Sequence, residues 1–116
     1  MPDSLDDLSA QLARFAEDRD WQQFHSPKNL ASALVVEASE LLEHFQWLTE
    51  EQSRTLSPEK RATVASEIAD VLLYLVQLSD ALGIDPVSAA SEKLRINAMR
   101  YPADAARGNS KKYDEL

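Results

Sequence analysis

Residues 57–83 read SPEKRATVASEIADVLLYLVQLSDALG. Ser57 offers a capping hydroxyl, Pro58 suits a first helical position, and Gly83 closes a run with no interior glycine or proline. At about 100° per residue, Val64, Ile68, Val71, Leu75, Leu78 and Leu82 gather on one side. The spacing predicts one long helix, Pro58 to Leu82, with that stripe as its core seam. Glu67 flanks the seam, and Asp70 and Tyr74 continue round the same flank.

Working outward, the pattern stays helical. Upstream, Asn29 can cap a helix running to about Trp47 or Leu48, with Leu30, Leu34, Ala38, Leu41, Leu42, Phe45 and Leu48 as its seam. Glu37 lies at the border of that seam. Glu40 lies further round, beside Val36 and Trp47, with His44 between it and the seam. A first helix is expected from Ser4 to about Arg19, with Leu5, Leu8, Leu12 and Phe15 as its stripe. Residues 20–28 connect these two helices and end at Pro27. Thr49 to Ser57 is polar and reads as a loop. Downstream, Asp85-Pro86 opens a fourth helix that stops near Tyr101, before Pro102.

Only two glycines occur, and no segment alternates with the period of a strand. The expectation is an all-α, four-helix domain over residues 1–102, followed by an irregular basic tail, 103–116, carrying Arg107, Lys111 and Lys112. There is no cysteine, which removes disulfides and thiolate metal sites. The acidic start, Met1 to Asp7, is the opposite of a secretory signal. No apolar run is read as approaching the ~20 residues of a membrane span, so the cytoplasm is the default location and no membrane partner is expected. A net charge of −8 argues against nucleic acid as a partner. It leaves room for a small polyphosphate, provided that metal ions sit between the two sets of anionic oxygens.

The chemistry concentrates in Glu37-x-x-Glu40 and Glu67-x-x-Asp70. Residues three apart share a helix face, so each pair points its oxygens one way. Two such pairs on two helices can form an oxygen cage for Mg²⁺, Mn²⁺ or Ca²⁺ rather than zinc. A di-iron centre would want Glu-x-x-His, and Gln22 and Leu41 stand three residues before His25 and His44. Lys93, Asn97 and Arg100 recur at i, i+4 and i+7, with Tyr101 adjacent, and could meet phosphate. Trp21, Phe24 and His25 in the connector either anchor the loop or border a base. The plainer alternative is that acids and cations alike are solvated helix surface on a non-catalytic dimerisation module.

These motifs together resemble the all-α, MazG-like nucleoside triphosphate pyrophosphohydrolases. The stretches 19–25 (RDWQQFH), 45–47 (FQW), 70–76 (DVLLYLV), 96–102 (INAMRYP) and Lys112-Tyr113 are similar to the dCTP pyrophosphatase branch. The resemblance implies Mg²⁺-dependent cleavage between the α- and β-phosphates of dCTP and its 5-modified forms, sanitising the nucleotide pool. It implies Glu37, Glu40, Glu67 and Asp70 as metal ligands. It places Trp47, Tyr74 and Asn97 around the base, Trp21 and His25 on the bordering loop, and Lys93, Arg100 and Tyr101 near the phosphates. It further implies a dimer, or a dimer of dimers, with sites completed across subunits. A dUTP or broad-specificity pyrophosphohydrolase, or a phosphoribosyl-ATP pyrophosphohydrolase, would use the same scaffold. Two departures from the branch stand out: a slightly shorter 49–57 loop, and Leu12 where a histidine is expected.

Overall fold

The computed structural model describes residues 4–116; of the acidic start, Met1 to Asp7, residues 1–3 lie outside them. The chain forms two units, one ending at Gly83 and one from Ile84 to Leu116. Every regular element among the described residues is helical.

Three helices open on a hydroxyl or carboxylate cap followed by proline, which has no N–H to leave unsatisfied at the first helical position. α1 (Leu5–Asp18) starts without proline: Ser4 Oγ accepts from the Asp7 amide at 3.1 Å. α2 (Pro27–Glu43) is capped by Ser26, whose Oγ accepts from the Asn29 amide at 3.1 Å. This moves the start two residues earlier than Asn29 had suggested. Asn29 lies in the first turn instead, and its Nδ2 donates to the Phe24 carbonyl at 3.0 Å, tying the connector to the helix.

α2 also ends earlier than the wheel implied. Tight bonds from the amides of His44 to Leu41 O, Phe45 to Leu42 O and Leu48 to Phe45 O replace the regular ladder, so Phe45, Gln46 and Trp47 leave the helix axis. The supposed 49–57 loop contains a short α3 (Glu50–Arg54). Its reason is a reciprocal cap: Thr49 Oγ1 accepts from the Gln52 amide at 3.1 Å, while Gln52 Oε1 accepts from the Thr49 amide at 2.9 Å.

α4 (Pro58–Ala81) begins with Ser57 Oγ accepting from the Lys60 amide. It stops where Gly83 takes a φ of 66°, a left-handed conformation that suits glycine. By length and composition α4 is long and apolar enough to cross a membrane, which corrects the expectation that no such run exists. Here it is the helix on which α2, and less extensively α1, pack.

The burial pattern turns both acid-bearing helices relative to their expected seams. Ala16, Leu30, Val64 and Val76 are buried, with Ser79 beside them. Glu67, Asp70, Tyr74 and Gln77 of α4 are half-buried, as are Glu37, Glu40 and His44 of α2. Ile68, Leu75, Leu82 and Leu42, expected in the core, are exposed; Ile68 keeps 53 % of its surface and Leu42 58 %. An acid pair flanked by apolar residues on both sides satisfies a wheel in either orientation, and here the acids take the covered side.

In the second unit, α5 (Pro86–Arg100) is capped by Asp85, whose Oδ1 accepts from the Val87 and Ser88 amides at 3.0 and 3.3 Å. The tail is not wholly irregular. It carries α6 (Ala103–Ala106) and a 3-10 turn at Tyr113–Glu115. Its cations are matched by Asp104, Asp114 and Glu115.

Candidate functional site

The packing of α2 on α4 brings carboxylates from both helices together. One oxygen each from Glu37, Glu67 and Asp70 lies within 4.8 Å of the others. Like charges at such range repel, and burial adds to the cost. Glu37 shows the result: its carboxyl is pushed above its ordinary value, first by desolvation, then by a hydrogen bond shared with Glu40 and by the charges of Glu40, Asp70 and Glu67. Glu37 Oε2 and Glu67 Oε2 are buried with no hydrogen-bond partner. Buried polar atoms are rarely left so, and a hard divalent cation would satisfy both. Glu40, expected as a fourth ligand, is half-buried and hydrogen-bonds with Glu37 but is not among the three acids whose oxygens converge. His44, the residue after α2, sets its Nε2 3.6 Å from Glu67 Oε1.

Asp70 also lines a cavity of ≈ 170 Å³, together with Leu12, Phe15, Trp21, His25, Leu73, Tyr74 and Gln77. The connector builds one wall. Asp20 takes a φ of 52°, a left-handed conformation that aspartate tolerates better than most residues, and the chain turns back on α1. The Trp21 amide then donates to Ala16 O at 2.9 Å. The Trp21 ring meets Phe15 edge-on, 5.6 Å between centroids at 72°, and the Arg19 guanidinium lies 3.7 Å over the Phe15 ring. Gln23 Nε2 donates to both Asp20 O and Asp20 Oδ2, holding the turn. The first unit thus places Trp21, His25 and Tyr74 around one space whose edge is an acid of the cluster.

Trp47 stands apart from that space. It follows the end of α2 with 86 % of its surface exposed and lines neither this cavity nor the larger one described below. Lys93, Asn97, Arg100 and Tyr101 belong to the second unit. Lys93, Asn97 and Arg100 share a face of α5, and Asn97 is half-buried. Tyr113 of the tail packs edge-on to Tyr101 at 6.2 Å, and the Arg100 guanidinium lies 4.9 Å from the Tyr113 ring centre. Arg95 is held by Glu92, Nη2 to Oε1 at 2.6 Å, whereas Lys93 has no ion pair among the described residues.

Phe15 and Gln77 are lining residues that sequence reasoning passed over. Gln77 had a signal: it follows Tyr74 by three residues and Asp70 by seven, on the same face of α4.

The description "MazG-like family" fits residues 33–116, which include Glu37, Glu40, Glu67 and Asp70. The human dCTP pyrophosphatase 1 is 46 % identical over 115 residues, covering 97 % of this chain and 68 % of that protein, and the mouse protein of the same name is 43 % identical over the same shares. A pyrophosphatase from Archaeoglobus fulgidus superimposes with a TM-score of 0.79 at 38 % identity, over 84 % of this chain and 91 % of that one. The chain belongs to the MazG-like family, and it is a hydrolase.

Proposed function

We propose that this hydrolase cleaves dCTP between its α- and β-phosphates, releasing dCMP and pyrophosphate, and that it uses Mg²⁺, with Mn²⁺ as a substitute. The observation that carries the reading is the union of two features on α4. Asp70 belongs both to a carboxylate cluster with orphaned buried oxygens and to a cavity walled by aromatic side chains. A nucleoside triphosphate needs both: a place for charge-neutralising cations and a mostly apolar slot for the base.

Glu37, Glu40, Glu67 and Asp70 would hold the metal. When bound, the cation supplies charge neutralisation for the triphosphate and makes a water more acidic. Glu37 accepts the proton of the attacking water in this scheme. Trp21 and Tyr74 enclose the base, and His25 borders it. The family resemblance, rather than any contact between the two units, assigns Lys93 and Arg100 to the departing pyrophosphate, with Tyr101 beside them, and Asn97 to the base.

The protein is further proposed to act as a homodimer or homotetramer in the cytoplasm. Apolar residues left exposed on α2 (Val35, Val36, Leu42) and α4 (Ile68, Leu72, Leu75) support the assembly. In it, exposed Trp47 would serve a site shared between subunits.

The test is a panel of nucleoside triphosphates, including dUTP and 5-modified dCTP, assayed for pyrophosphate and for inorganic phosphate. The expected result is Mg²⁺-dependent pyrophosphate release, fastest with dCTP and lost in Glu40→Gln and Asp70→Asn. Full turnover in either variant removes the cage from the mechanism. Inorganic phosphate as product moves the cleaved bond. Equal rates with dUTP and dCTP make the enzyme broad in specificity.

A further inference from the structure

Beyond the cavity at Asp70 lies a larger one of ≈ 250 Å³, lined by Ser9, Ala13, Ala16, Leu30, Val76 and Asp80 among others. The two spaces have Leu12, His25 and Gln77 in common as lining residues. Those three residues therefore border both spaces. Leu12 contributes only hydrocarbon, so a polar side-chain contact from this shared border comes from His25 or Gln77.

Gln77 is the better placed of the two to read a base. It stands on rigid α4, one turn beyond Tyr74 and two beyond Asp70, whereas His25 sits in the connector. Its side chain is half-buried, and its carboxamide makes no hydrogen bond among the described residues. A carboxamide carries a donor and an acceptor side by side. The Watson–Crick edge of cytosine offers the matching pair, an N3 acceptor beside an N4 amino donor.

We propose that Gln77 is a specificity-determining residue of this site, hydrogen-bonding the Watson–Crick edge of the pyrimidine and closing the slot against the larger cavity, so that it selects against bulky edge substituents rather than between cytosine and uracil. The inference rests on the nucleotide reading given above. It predicts two effects of opposite sign. Removing the carboxamide weakens an unsubstituted cytosine, because buried polar edges left unpaired are costly. It also opens the slot toward the larger cavity, so bases carrying a bulky N4 group lose less, or gain.

The experiment compares wild type with Gln77→Leu, Gln77→Ala and Gln77→Glu, using Mg²⁺ and dCTP, dUTP and a dCTP with a bulky N4 substituent. Folding of each variant is checked by helical circular dichroism. Gln77→Leu and Gln77→Ala should raise KM for dCTP about 10-fold or more with kcat held. Gln77→Ala should shift the ratio of kcat/KM toward the bulky nucleotide. Gln77→Glu keeps the shape but replaces the donor, so it should lose dCTP affinity without gaining the bulky substrate. A wild type that hydrolyses dCTP, with KM and substrate ranking unchanged in folded variants, overturns the role of Gln77 alone. A wild type that releases pyrophosphate from no nucleotide overturns the functional reading, and this assignment with it.

Discussion

His44 Nε2 stands 3.6 Å from Glu67 Oε1, so the residue that terminates α2 touches an acid in the middle of α4. The other oxygen of that glutamate, Oε2, is buried and unpartnered. One oxygen therefore faces the imidazole while its twin is buried without a partner. Groups that orient a ligand in this way commonly change metal affinity by about 10- to 100-fold when removed. His44→Ala should accordingly weaken Mg²⁺ binding by about 10-fold in calorimetric titration, with His44→Gln partly restoring it. Unaltered binding in both would leave the contact incidental.

Glu37 makes the metal-free protein sensitive to pH. Its folded value is raised, chiefly by desolvation and then by Glu40, so the folded state binds the proton more tightly than the unfolded chain does. The resulting stability is fully present below the ordinary glutamate value and is lost as pH rises through the raised folded value. Without metal, the melting midpoint should climb on moving from neutral to mildly acidic pH, and Glu37→Gln should flatten that slope. Added Mg²⁺ should stabilise the wild type most at neutral pH, where the carboxylates are ionised. Thermal melts with Mg²⁺ and with a chelator measure both.

Asp85 has the opposite sign. Bonds from the Ser88 amide and hydroxyl, and then the Val87 amide, hold its carboxyl below its ordinary range. Its contribution is present above the unfolded value and disappears as pH falls through the lowered folded one. Asp85→Asn can still cap α5 but has no charge to lose. It should be less sensitive to strong acid than the wild type, and Asp85→Ala should melt roughly a few degrees lower at neutral pH. Identical acid profiles for wild type and Asp85→Asn would contradict this.

Ile68, Leu72 and Leu75 recur at i, i+4 and i+7 and are exposed along α4. A carboxylate placed among them would be desolvated if a second copy covers the stripe. Leu72→Glu should then shift the sedimentation profile toward monomer while helical content persists. The specific rate of pyrophosphate release should fall in parallel. An unchanged sedimentation profile would move the interface elsewhere.

The long helices were legible because their signals are local: Ser57-Pro58 and Asp85-Pro86 are capping devices, and Gly83 is a stop. The convergence of Glu37, Glu67 and Asp70 was legible for a related reason, since spacing of three places each pair on one face. Less visible were features decided by tertiary context. Helical periodicity continues through Trp47, yet the chain leaves the axis after Glu43. A wheel identifies apolar arcs but not which arc is covered, so Ile68 and Leu75 were assigned inside while Glu67 and Gln77 took the sheltered side. The α3 cap at Thr49 and Gln52 was present in the sequence, but it is too short to show a hydrophobic period.

The small buried interior has a consequence for how such a chain behaves in a cell. Among the described residues the buried apolar side chains are Ala16, Leu30, Val64 and Val76, two of them valines and one an alanine. Under the proposed assembly, much of the water exclusion that sustains the fold is lent by a neighbouring copy. Mass action then governs folding itself, and persistence of the native state depends on how much of the protein is made. Expression level becomes a determinant of stability: scarce chains are preferentially lost to proteolysis, and activity per chain declines on dilution.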